Sequence, residues 1–131
     1  MTTAPQPGRP HPVGPLPEHG SRVLVRLMAA ASLLRVGETE AGLRSLRSVV
    51  AAWPEHPLPR YRLAVVLAGS GRGPEALDAL AGAVTAGLAA PDELEAEPAF
   101  DRLHGDPRFH AAVSGARRNQ AGGGSGGGAG P

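Results

Sequence analysis

The side chains with the most chemical reach gather near the end of the chain. His104, Asp106 and His110 follow one another closely, and imidazole and carboxylate are common zinc ligands. Their spacing matches no metal-binding pattern, however, and Asp106 stands directly before Pro107, where a carboxylate can accept from the free N–H groups of a helix start. No metal is expected. Asp101 and His104 would make an acid–base pair, but no nucleophile or phosphate-cradling loop accompanies them. The Gly-rich run Gly69 to Glu75, GSGRGPE, precedes a helical pattern, yet no strand leads into it and no Lys follows. It reads as a hairpin turn. The chain has no Cys, which removes thiolate sites and disulfides. These residues together point to a protein without catalysis, cofactor or metal.

The elements that carry them are helical. A chain of 131 residues allows one domain. Hydrophobic residues make up 41% but aromatics only 3%, so the core must be built from Leu, Val and Ala, which suits closely approaching helices. There is no Ile, and no stretch alternates with a period of two, so no strand is expected. The formal charge is +1 and all thirteen basic residues are Arg. Near-neutral balance gives no general attraction to nucleic acid or to an anionic membrane. Arg117 and Arg118 before the flexible end do not change that expectation, because stacking aromatics are missing. Val23 to Leu34, VLVRLMAAASLL, imitates a signal peptide. It begins late, is broken by Arg26, and is far shorter than the ~20 residues of a membrane span. It is read as a core helix of a cytoplasmic protein.

The chain repeats itself. A shift of 34 residues lays Ala30 on Ala64, Leu33 on Leu67, Gly37 on Gly71, Leu43 on Leu77, Leu46 on Leu80 and Val49 on Ala83. That register marks a helical hairpin whose apolar side is buried only against a neighbour. The first hairpin is expected to start at Ser21 as N-cap, turn at Gly37 and return over Glu38 to Trp53. The second is expected to start near Pro59, stop at Gly69 and Gly71, and restart at Pro74. After Leu88 the period is lost. Pro91-Asp92, Glu97-Pro98 and Asp106-Pro107 look like short helix starts, with Phe100 and Phe109 sealing the open end of the second hairpin. Residues 1–20, rich in Pro, are expected to be a disordered arm, residues 21–115 the helical domain, and residues 116–131 a disordered Gly-rich tail.

Pro59 to Leu88 resembles a tetratricopeptide repeat. Arg60, Leu63-Ala64, Leu67, Ala76 and Leu80 fall on that family's template, as do Arg26, Ala29-Ala30, Leu33, Gly42, Leu46 and Pro54 in the upstream copy. Arg stands where the family has its leading Trp, Leu replaces both aromatics, and Leu88 replaces the closing Pro. The tail EPAFDRLHGDPRFHAAV resembles the degenerate closing segment of bacterial repeats of this kind.

The resemblance implies an all-α short solenoid of two hairpins plus degenerate capping helices. It also implies a concave groove that binds a peptide or protein surface. By register, the groove is lined by Leu24, Leu27, Ala31, Leu34 and Arg35 from the first unit, and by Leu58, Tyr61, Arg62, Val65 and Ala68 from the second. Family members that hold a C-terminal carboxylate use Lys and Asn there, and neither occurs in these helices. The implied function is a scaffold or adaptor. The alternatives are self-association as a homodimer through Val23 to Leu34, and a regulatory subunit of a separate enzyme. Arg22, Arg26, Arg35, Arg60 and Arg62 read as solvated faces, with recognition of an acidic partner as the sharper alternative. Tyr61→Ala and Leu27→Glu are expected to abolish partner capture without loss of helix.

Overall fold

The computed structural model describes residues 18–124. The described residues form α1 (Glu18–Arg35), α2 (Thr39–Ala52), α3 (Pro57–Gly69), α4 (Gly73–Thr85), α5 (Pro91–Ala96), a 3₁₀ helix (Pro98–Leu103) and α6 (Pro107–Gly124). No strand occurs among them, and the protein is all-α. Each of α1, α2 and α3 packs on the next helix in sequence, and α6 closes over α4 and α5.

The 34-residue offset recurs in backbone geometry. Gly37 and Gly71 both take positive φ, at 86° and 79°, a conformation that side chains with a Cβ resist. At the first turn the Glu38 N–H donates to the Leu33 carbonyl and the Gly37 N–H to that of Leu34. At the second, Arg72 donates to Leu67 and Gly71 to Ala68. Both helices therefore end in the same Schellman arrangement, which satisfies carbonyls that would otherwise be orphaned. The identical closure appears a third time, where Gly87 and Leu88 donate to Val84 and Ala83 at the end of α4. Beyond it Pro91, Pro98 and Pro107 each open a helix, as the sequence predicts.

Burial follows the same offset. Ala30 and Ala64, Leu43 and Leu77, Leu46 and Leu80, and Val49 and Ala83 are all buried. One apolar cluster joins Val23, Leu27 and Ala30 of α1 to Leu43, Leu46 and Val49 of α2 and to Leu63, Leu67 and Ala76 of the second hairpin. A second joins Ala64, Leu77 and Leu80 to Leu94, Phe100, Phe109, Ala112, Val113 and Ala116. The Phe100 and Phe109 rings lie 5.8 Å apart, and they fill the end of the second hairpin.

Three boundaries differ from the sequence reading. Helix α1 begins at Glu18, a turn before Ser21. Helix α3 begins at Pro57, not Pro59, with the His56 ring accepting from the Leu58 N–H at 3.3 Å. At the other end, α6 does not stop at Gly115 but continues to Gly124. The reason lies in α4. A Cβ on Gly115 would sit 2.6 Å from Val84 Cγ1, so glycine serves there as a point of close helix contact. One turn further, the Asn119 side-chain amide donates to the Val84 and Leu88 carbonyls at 2.9 and 2.8 Å. The remaining parts of the expected arm and tail, residues 1–17 and 125–131, lie outside the described residues.

Candidate functional site

The groove forms where α1 and α3 stand side by side over α2. Leu24, Leu27, Met28, Ala31 and Leu34 supply one wall, Leu58, Arg62, Val65 and Val66 the other, and Leu46 of α2 reaches in between. Its volume is about 250 Å³. Leu24, Leu27, Ala31 and Leu34 recur at helical spacing, which stacks them along one side of α1. Leu58, Arg62 and Val65 do the same on α3.

Exposure divides these residues into two kinds. Leu27 is 8% exposed and Leu46 2%, so they form the bottom of the groove and belong to the core. Leu24 and Met28 are 54% and 60% exposed, a large apolar area for side chains with no polar atoms. Val25 is 63% exposed but lines a separate hollow with Arg22, Arg26 and Trp53. Neighbouring exposed apolar side chains such as Leu24 and Met28 carry more meaning than scattered ones do.

Of the residues expected from the sequence, the structure brings together Leu24, Leu27, Leu34, Leu58, Arg62 and Val65, with Ala31. It does not place Arg35 or Tyr61 in the groove lining. Arg35 donates to the Ser32 hydroxyl at 3.2 Å on its own helix. Tyr61 turns toward the capping segment, where its ring meets Phe100 edge-on at 6.2 Å. Burial, helped by the nearby Glu97 and Glu93 carboxylates, pushes its phenol above the ordinary value. Ala68, also expected there, packs against both apolar clusters. Met28, Leu46 and Val66 were not expected in the lining. Met28 lies one turn from Leu24 on the same stripe, and that spacing was the signal available for it.

The chemically reactive types near the end of the chain have structural tasks. The His104 ring stacks on Phe109, with centroids 4.7 Å apart and planes 17° from parallel, and its Nε2 has no hydrogen-bond partner among the described residues. Asp106 accepts from the Arg108 N–H at 2.8 Å, as a residue capping the start of α6 should. That hydrogen bond, together with the Arg108 guanidinium, holds its carboxyl below the usual range. Among the described residues no group of three or more His, Cys, Asp or Glu side chains could hold a metal ion.

No helix among the described residues is long and apolar enough to cross a membrane. Comparison of the chain with protein-family models, with curated proteins and with solved structures gave no match.

Proposed function

We propose that this chain is a non-enzymatic interaction module of the tetratricopeptide kind, acting in the cytoplasm as a scaffold or adaptor. It holds a segment of another protein in the groove between α1 and α3. The observation that carries this reading is the open apolar wall of α1, where Leu24 and Met28 border the groove while more than half exposed. Burying such side chains against a partner releases roughly 25 cal/mol per Å² of apolar surface, while the buried floor residues keep the walls in place. The 34-residue offset shared by turns and core supports the family resemblance.

The exposed residues are the ones to change. Leu27→Glu would place a charge in the core cluster, and Tyr61→Ala would remove the ring that packs on Phe100, so neither separates binding from folding. Leu24→Glu combined with Met28→Glu alters only the open wall. In affinity capture from the producing cells, the double variant is expected to keep its circular dichroism spectrum and to lose the proteins that wild type retains. Recovery of the same proteins by the double variant would put binding elsewhere.

A further inference from the structure

We infer that the occupant of this groove is an amphipathic helix of another protein, about three turns long, with apolar residues on its inner face and Asp or Glu along its edge. The inference rests on the groove being the binding site.

The first reason is the backbone of whatever enters. Arg62 is the one lining side chain with a polar group, and a guanidinium only donates. The walls are helices, whose interior backbone groups are already paired. An extended segment would bring N–H groups into a trough that offers them no acceptor, whereas a helix satisfies its own. The second reason is length. Leu24 to Leu34 spans about 15 Å at 1.5 Å per residue, which matches some ten residues of a partner helix lying alongside in helix-in-groove fashion.

The third reason is charge. Residues 19–35 of α1 and the whole of α3 carry Arg22, Arg26, Arg35, Arg60 and Arg62 and no Asp or Glu. Arg26 is turned to Ser48 and lies over the Trp53 ring, and Arg60 donates to the Pro54 carbonyl. Arg62, on the groove wall, has neither hydrogen bond nor ion pair among the described residues. Other carboxylates are paired away from the groove, Glu40 with Arg72, Glu75 with Arg47, Asp78 and Asp106 with Arg108, and Glu95 with Arg117. A groove with an apolar bottom and an uncompensated cation on its wall is complementary to an acidic helix. The same feature argues against a second copy of this chain, because pairing groove to groove would bring one Arg62 to the surface that carries the other. The acid-rich α5 cannot act as the insert either, because its Leu94 is fully buried.

The probe is a displayed library of random peptides about 14 residues long, selected on the immobilised full chain and counter-screened on Leu24→Glu. Sequences enriched on wild type and lost on the variant are expected to carry apolar residues at i, i+4 and i+7, an excess of Asp and Glu, and no Pro. Synthetic copies should bind Arg62→Glu about tenfold more weakly, the effect of one reversed charge-assisted contact. Enriched peptides that are basic or contain Pro, yet still depend on Leu24, would overturn the acidic helix and leave the groove as the site. Enrichment indifferent to Leu24→Glu would overturn both. Failure to enrich any sequence, or light scattering that shows a dimer dispersed by Leu24→Glu, would also overturn the acidic helix, the latter in favour of a second copy.

Discussion

An imidazole can serve as a flat packing surface as readily as it can carry a proton, and His104 does the former against Phe109. Residue type alone did not decide between those uses. Surroundings did, and the sequence supplied them only in part. Asp106 was legible as a cap because Pro107 follows it. The register of Tyr61 fits a groove position, while the Phe100 ring that draws it away comes about forty residues later. Where register and packing agree, as at Leu67 and Leu80, the sequence sufficed. Both are buried, and truncating either to Ala is expected to cost roughly 2 to 5 kcal/mol in denaturant melts. A loss under ~1 kcal/mol would contradict the packing. Asp106 has a pH signature. Its carboxyl is held low in the folded chain, so the unfolded chain takes up the proton more readily. The stabilisation is complete above the ordinary Asp value, near 4, and disappears as pH falls through the lowered one. Asp106→Asn keeps an oxygen that can cap the helix but has no such proton. Thermal melts across acid pH should therefore fall less steeply for this variant than for wild type, and identical slopes would rule the cap out as the cause.

Among the elements, the hairpins are legible because their punctuation is local: a positive-φ glycine stands at each turn, and Pro57 and Pro74 stand at the starts of α3 and α4. Helix α6 was not. Glycine lowers helix propensity by about 1 kcal/mol relative to Ala, and a segment that leads into AGGGSGGGAGP looks like coil by that measure. What extends the helix is long-range. Gly115 lets α6 come close to Val84, Ala116 is fully buried, and Asn119 reaches the carbonyls that end α4. None of these contacts has a local signature. Asn119→Ala is expected to lower stability by about 1 to 2 kcal/mol, since it strips two partly buried hydrogen bonds from the chain. Ending the chain after Gly115 should cost at least as much. If both changes left the thermal midpoint where it was, the docked end of α6 would be incidental to the fold.

At the scale of the whole molecule, the offset of 34 residues implied a stack, and the two apolar clusters show how the stack coheres. Helix α3 gives Leu63 and Leu67 to one cluster and Ala64 to the other, while α4 gives Ala76 to the first and Leu77 and Leu80 to the second. The middle hairpin thus belongs to both, and losing either neighbour uncovers one side of it. The groove, most of its lining and the arginines of its two helices were legible in advance. That Arg62 lines it while Arg35 turns to Ser32 was not, because that depends on packing and not on register. The two clusters also divide the aromatic residues. Trp53 packs against the first cluster and Tyr61 against the second, and the chain has no other indole or phenol. The protein therefore holds a separate optical reporter for each half of its interior. If the halves melt as one cooperative unit, indole fluorescence and phenol absorbance will trace superimposable curves; if the first hairpin peels away early, the indole will report it while the phenol is still silent.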